Sequence, residues 1–227
     1  VIHTQRNGKG GVEDNIEDWD PDTKIWTITI GDSAEAWARS VGKLLAGKYP
    51  AKTLILDFSQ IRPAGERLKG YGWISSGSEA IGRAYLEIAK ILNLRASNLL
   101  RKMDILDIVN WLGTVLSSRR SAEIALFDYG EPEWHDFAVG KKDWWLTGNE
   151  QRQQSNNSLL FRYKPKKEEL ANIFELMADA GGSEPGFING MAALERAPWF
   201  KGVNPCAEIL LGNKTFCNLT EVDLGKF

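Results

Sequence analysis

Lys24-Ile25-Trp26-Thr27-Ile28-Thr29-Ile30, then Asp32-Ser33, a periodic run from Ala34 to Leu45, and Thr53-Leu54-Ile55-Leu56-Asp57-Phe58 form the stretch that decides the fold class. Apolar and polar side chains alternate through 24–30, the pattern of a strand with one buried face. Asp32 or Ser33 supplies an N-cap for the helix that follows, and Gly47 and Pro50 stop it. Thr53 to Phe58 is short and almost continuously apolar, as a strand covered on both faces should be. Strand, helix and strand in that order predict a mixed α/β architecture.

On the N-terminal side, Gly8, Gly10, Gly11 and the acidic run from Glu13 to Asp22 read as loosely organised. On the C-terminal side a glycine-punctuated loop runs from Ser59 to Gly77, and two amphipathic helices follow. Ile81, Ala84, Tyr85, Ile88 and Leu92 share a face of the first; Ile105, Ile108, Val109, Leu112, Val115 and Leu116 share a face of the second. Ala122–Phe127 and Leu159–Tyr163 read as strands, and Leu170, Ile173, Phe174 and Met177 line a third helix. The remainder is read as an irregular stretch from Gly181 to Gly202, a loop around Cys206, and a last strand from Cys217 to Leu224. A strand ending there would leave an unpaired edge, so the expectation is part of a larger fold. The start at Val1 rather than Met fits a processed, trimmed or partial chain.

The composition is that of an ordinary globular chain: 227 residues, 43% hydrophobic and 26% charged, with a net charge of -2. That length allows one large domain or two small ones. With 28 basic residues against 30 acidic ones, nothing points to nucleic-acid binding. No apolar run is long enough to span a membrane and no signal-peptide pattern opens the chain. Two cysteines without a secretory signal suggest a reducing cytoplasm.

Several motifs are weighed and set aside. Gly8-Lys9-Gly10-Gly11 begins like a phosphate loop but lacks the Lys-Ser/Thr and the helix that would hold phosphate. His3 and His135 stand far apart, with no Cys/His cluster of zinc spacing, so no metal site is expected. No Ser-His-Asp set is legible. What carries chemistry is Asn204-Pro205-Cys206-Ala207-Glu208-Ile209, with Cys217-Asn218-Leu219 behind it. Two cysteines alone would be small buried hydrophobes. In an extended or tight loop, however, residues 204, 206 and 208 can face one way, because side-chain direction repeats every second residue. An amide, a thiol and a carboxylate would then surround one small ligand.

Asn-Pro-Cys-x-Glu followed by Cys-Asn-Leu resembles the finger loop of ribonucleotide reductases, and other segments agree in order. Asp32-Ser33-Ala34-Glu35-Ala36-Trp37 resembles the start of that family's allosteric specificity region. Ser59-Gln60-Ile61-Arg62-Pro63, with Gly65, Lys69-Gly70 and Ser76-Gly77, is similar to a loop of the cobalamin-dependent (class II) members. Arg119-Arg120-Ser121-Ala122-Glu123-Ile124-Ala125-Leu126 resembles the loop that links effector site to substrate base. Ser155-Asn156-Asn157-Ser158 and Glu184-Pro185-Gly186-Phe187 resemble further class II segments. The likeness runs from about residue 24 to the C-terminus and is greatest to the adenosylcobalamin-dependent ribonucleoside-triphosphate type.

The resemblance implies part of a ten-stranded α/β barrel with the Cys206 loop at its centre, residues 24–130 forming the specificity and loop region and 131–227 the active-site region. It implies Cys206 as the thiyl radical that takes the 3′ hydrogen of a ribose, Glu208 as the base for the 3′-hydroxyl, Asn204 as the amide that orients the sugar, and Cys217 as one member of the reducing dithiol. It implies Asp32, Ser33, Arg62, Arg119, Arg120, Ser121, Ser155, Asn156 and Asn157 as substrate or effector contacts. The implied partners are adenosylcobalamin, a ribonucleoside tri- or diphosphate, a deoxynucleotide effector, a thioredoxin-like reductant and further reductase segments or chains. Plainer roles stand beside these: Asp32 and Ser33 as a helix cap, Arg119 and Arg120 as a solvated pair at a helix end. One departure is plain, since no cysteine precedes Cys206 to complete the dithiol. The competing readings are a non-catalytic nucleotide-binding or assembly subunit, and a reductase served by a class I metal partner or a class III glycyl radical.

Overall fold

The computed structural model describes residues 11–68, 74–115, 123–217 and 222–226, and the backbone of residues 2–3. The chain divides into two compact units, Val1–Ser121 and Ala122–Phe227. The sequence-based division at 130/131 falls later, beyond a strand that belongs to the second unit.

In the first unit a four-stranded sheet has the order β1-β4-β3-β2. It comprises β1 (Ile2–His3), β2 (Ile16–Asp20), β3 (Ile25–Thr29) and β4 (Thr53–Asp57), with helix α1 (Ala34–Ala46) between β3 and β4. β3 runs parallel to β4 and antiparallel to β2. The alternation works as expected: Trp26, Ile28 and Ile30 are buried while Thr27 and Thr29 are only half-buried. Ser33 caps α1 by accepting from the Ala36 N–H at 3.1 Å, and Gly47 ends it in the left-handed conformation (φ 56°), which glycine adopts without penalty.

The acidic run expected to be loose instead contains β2. Asp20 closes the turn to β3 by accepting from the N–H of Asp22 (2.9 Å) and Thr23 (3.3 Å) and from the Thr23 hydroxyl (2.6 Å). Trp19 stacks on Tyr49 with ring centroids 4.9 Å apart. β2 is an edge strand, where charged side chains deter pairing with other chains. Its charge therefore marks its place in the sheet.

Helices α2 (Gly77–Leu94) and α3 (Lys102–Gly113) complete this unit. Ile81, Ala84, Tyr85 and Ile88 are buried as expected. On α3 the expected stripe is rotated: Asp104, Ile108, Trp111 and Val115 are buried, whereas Ile105 and Val109 are exposed. The rotation follows from Asp104, a carboxylate drawn inward by two arginines. It accepts from Arg95 Nε at 2.6 Å, Arg101 Nη2 at 3.1 Å and the Arg101 N–H at 2.8 Å. Leu116 and residues 119–121 lie outside the described residues.

The second unit holds a parallel sheet β5-β6-β7, made of β5 (Glu123–Asp128), β6 (Ser155–Phe161) and β7 (Gly186–Asn189). The helices are α4 (Trp134–Ala138), α5 (Trp144–Thr147), α6 (Lys167–Ala180) and α7 (Gly190–Arg196), and a hairpin pairs β8 (Gly202–Val203) with β9 (Leu210–Leu211). Three expectations are corrected here. The strand expected at Leu159–Tyr163 begins earlier, at Ser155, and ends at Phe161, so that the polar Ser-Asn-Asn-Ser forms its mostly buried start. The stretch 181–202 contains β7 and α7, whose few residues each carry little periodicity. Of the expected strand 217–224, Cys217, Val222 and Asp223 are not strand and Leu224 starts a 3-10 turn, while 218–221 lie outside the described residues.

The two faces of this sheet carry different loads. Phe127 stacks on Phe137 of α4, and Phe187 meets both Phe161 and Phe174 of α6. On the opposite face Ile124, Leu126, Leu160 and Ile188 pack with Ala193, Phe200, Val203, Ala207 and Leu210 of α7 and the hairpin. Gly186 is fixed by close approach, since a Cβ there would lie 2.6 Å from Ser158 Oγ.

The Asp104 cluster yields a pH prediction. Burial disfavours the charged carboxylate, but hydrogen bonds from Arg95 and Arg101 outweigh it and hold the group at about 2, against an ordinary 3.8. A depressed value stabilises the fold above the ordinary value, and this contribution is lost as pH falls through the folded one. The two values correspond to about 2 kcal/mol. Asp104→Asn should lower stability at pH 7 by about 2 kcal/mol and make the acid loss between about pH 4 and pH 2 shallower, as read by urea unfolding across that range.

Candidate active site

The hairpin registers Gly202 opposite Leu211 and Val203 opposite Leu210, so residues 204–209 form its tip. Asn204 closes that tip. Its N–H donates to the Ile209 carbonyl (3.2 Å), its carbonyl accepts from the Ala207 N–H (2.9 Å), and its side-chain Oδ1 accepts from the Ile209 N–H (3.0 Å). The second of these bonds defines a four-residue turn with Pro205 at its second position, where a fixed φ near −65° is favoured. Ala207 then takes a left-handed conformation (φ 67°) and packs its methyl into the core beneath.

The tip thereby sorts its side chains. Asn204 is 4% exposed, whereas Cys206 and Glu208 are exposed to solvent. The expectation that 204, 206 and 208 face one way fails for Asn204, which is buried while Cys206 and Glu208 are exposed. A turn, not an extended segment, separates Asn204 from them, and its Oδ1 is spent on the loop. The hydrogen bonds described for Asn204 leave its amide Nδ2 outside the closure.

β6 supplies a second anchor. Asn156 Nδ2 donates to the Pro205 carbonyl at 2.8 Å, tying the strand to the residue before Cys206. Ser155 and Asn157 are buried and bond to each other, Ser155 Oγ to Asn157 Oδ1, at 2.7 Å. In a strand, 155 and 157 point to the face opposite 156. The three expected ligand residues are therefore split between two faces. Lys141 Nζ donates to the Ser155 carbonyl and pairs with Glu184, 2.9 Å from Oε1. Neither lysine nor pairing was legible beforehand: Gly140-Lys141-Lys142-Asp143 carries no periodic or motif signal.

Cys217 follows the hairpin and is half-buried; no hydrogen bond or disulfide joins it to Cys206 among the described residues. In the first unit, Asp32 and Arg62 find each other. Arg62 Nε lies 2.8 Å from Asp32 Oδ2, and the Arg62 N–H donates to Oδ1 at 3.3 Å. Ser33 uses its hydroxyl twice, accepting from Ala36 and donating to the Glu13 carbonyl at 2.7 Å. Ser33 is thus the helix cap, while Asp32 pairs with the neighbouring loop. Arg119, Arg120 and Ser121 lie outside the described residues.

Known proteins resemble this chain in sequence and in fold. Residues 4–92 match the family model of the B12-dependent ribonucleotide reductase insertion domain. An adenosylcobalamin-dependent ribonucleoside-triphosphate reductase of Lacticaseibacillus paracasei is 34% identical over 218 residues, covering 85% of this chain and 27% of that protein. One from Lactobacillus acidophilus is 32% identical, covering 92% of this chain and 30% of that protein. The crystal structure of a B-12 dependent (class II) ribonucleotide reductase superposes with a TM-score of 0.69 at 27% identity, over 86% of this chain and 28% of that one. Along most of its length the chain is similar to B12-dependent (class II) ribonucleotide reductases, and it spans less than a third of the length of these relatives. The expected α/β fold, as part of that larger architecture, agrees with this superposition.

Asn204 is the test of the loop geometry. Asn204→Ala leaves the Ile209 N–H without its side-chain acceptor, and an unsatisfied buried donor costs about 1–3 kcal/mol. Urea denaturation should register that loss, and Asn204→Asp, which keeps the accepting oxygen, should recover most of it.

Proposed function

We propose that this chain carries the radical-cysteine segment of an enzyme that reduces ribonucleoside triphosphates to 2′-deoxynucleotides with adenosylcobalamin as cofactor. The observation that carries the reading is the tip itself: an exposed thiol at Cys206 and an exposed carboxylate at Glu208, two residues apart on a loop held by Asn204. The relatives named above are reductases of that kind.

The donor set fits the cofactor. A reachable thiol outside any disulfide is what radical initiation requires, and Cys206 is one. Adenosylcobalamin would supply the radical chemistry at the Cys206 sulfur, the residue that would face it. The rest belongs to the chain's own groups. The Cys206 sulfur takes the 3′ hydrogen of the ribose and later returns one. Glu208 accepts the 3′-hydroxyl proton, which helps the 2′-hydroxyl leave as water. Asn204 Nδ2 orients the sugar hydroxyls, a contribution of position rather than proton transfer. Cys217 supplies one thiol of the reducing pair; the second thiol and final re-reduction come from outside residues 1–227, with a thioredoxin-like dithiol as the source of electrons.

The first unit takes the regulatory role in this reading. Asp32, Arg62, Arg119, Arg120 and Ser121 are in this reading the contacts for a deoxynucleotide effector, Asp32 serving the sugar and the arginines the phosphates. The Asp32–Arg62 ion pair would then open or reorient on binding. No helix among the described residues is long and apolar enough to cross a membrane.

In the full-length protein supplied with adenosylcobalamin and a dithiol, Cys206→Ser should lower deoxynucleotide formation from ribonucleoside triphosphates by on the order of 10³-fold or more. Glu208→Gln should lower it by about 10²–10⁴-fold. Undiminished product from Cys206→Ser would overturn the assignment.

A further inference from the structure

We infer that Asn156 is a positioning residue for Cys206, acting through the Pro205 carbonyl, and not a ligand contact; the catalytic consequence rests on the function proposed above. Three observations carry this. The Asn156 Nδ2 hydrogen bond to the Pro205 oxygen, 2.8 Å, links residues 49 positions apart and lands on the peptide that leads into Cys206. The side chains flanking it in β6 point to the other face, where Ser155 and Asn157 bond each other, so Asn156 alone of the three reaches the hairpin. Its own base is firm: Ser155 is buried, and its carbonyl is held by Lys141, which also pairs with Glu184 at the entrance to β7.

Among the described residues the hairpin has two other supports, and neither is a directional bond between the Cys206 turn and β6. Packing of Val203, Ala207 and Leu210 on Leu160 and Leu126 fixes the distance of the hairpin from the sheet. The Asn204 hydrogen bonds fix the loop's internal shape. Apolar packing is non-directional and tolerates sliding along the strand. A directional hydrogen bond does not. Asn156 therefore supplies the registration of the Cys206 turn against β6, through one N–H of its amide. A radical transfer demands such registration, since a displacement of about 1 Å can cost about 10²-fold in rate.

The test compares Asn156→Asp, which keeps the shape and removes the donor, and Asn156→Ala with the full-length enzyme. Asn156→Gln, which keeps an amide donor on a longer arm, is the conservative variant. Two readouts are taken: kcat and KM for ribonucleoside triphosphate reduction, and amide hydrogen exchange of the peptide covering residues 203–211. Removal of the donor should speed exchange in that peptide about fivefold, the population change given by loss of one hydrogen bond of about 1 kcal/mol. It should lower kcat by roughly ten- to a hundredfold while KM stays within about twofold, and Asn156→Gln should recover part of both. Rising KM with unchanged kcat and unchanged exchange would make Asn156 a ligand contact and overturn the inference, as would unchanged values of all three. If Cys206→Ser itself leaves activity intact, the functional reading falls, and the exchange of residues 203–211 still decides whether Asn156 holds the loop.

Discussion

A parallel strand buried on both sides must satisfy two different neighbours with alternate residues, and β6 shows how far that constraint reaches. Its odd-numbered residues face the side where Phe161 meets Phe187 and, through it, Phe174 of α6. Its even-numbered residues face α7 and the hairpin, with Leu160 in the core and Asn156 at the loop. A shift of one residue in register would exchange the two sets and carry the amide away from Pro205. The placement of the thiol at Cys206 is therefore decided by strand pairing well away from it, beginning with Glu123 opposite Ser155 and Ser158 opposite Gly186.

Much of this was legible in the sequence, and what was not has physical reasons. Strong periodicity gave β3, α1, α2 and β4 close to their observed limits, because apolar burial is what periodicity records. The Cys206 loop was legible through its motif. Asn204 was placed correctly in that loop but on the wrong side of it, since a two-residue alternation rule does not anticipate a turn closed by a side chain. The polar start of β6 was not included in the expected strand because Ser and Asn are rarely buried; here Ser155 and Asn157 are buried and bonded to each other, and half-buried Asn156 is bonded to the hairpin. β7 and α7 are too short to display a period. The rotation of α3 hinged on one carboxylate, Asp104, whose inward turn depends on arginines before and within the same corner.

The first unit shows a comparable economy in its polar groups. Ser33, Asp32 and Arg62 come from two sequence segments that motif reasoning had grouped by function, and the fold joins two of them by an ion pair. The hydroxyl of Ser33 is consumed by the helix it starts and by the strand-side carbonyl of Glu13. Local structural roles and ligand roles thus compete for the same atoms. A nucleotide arriving at this corner would meet charges that already have partners, and its affinity would include the free energy of separating them.

Ala207 carries a different kind of information. A left-handed backbone costs an alanine roughly 1 kcal/mol that a glycine would not spend, yet its methyl lies against the core formed with Leu160 and Val203. Exchange for glycine would relax the peptide, but it would also widen the range of conformations open to the turn and remove the contact. Evolutionary drift at this position is thus expected to trade comfort of the main chain against sharpness of the tip, so sequence variants there should differ in how narrowly they aim the sulfur before they differ in whether they fold.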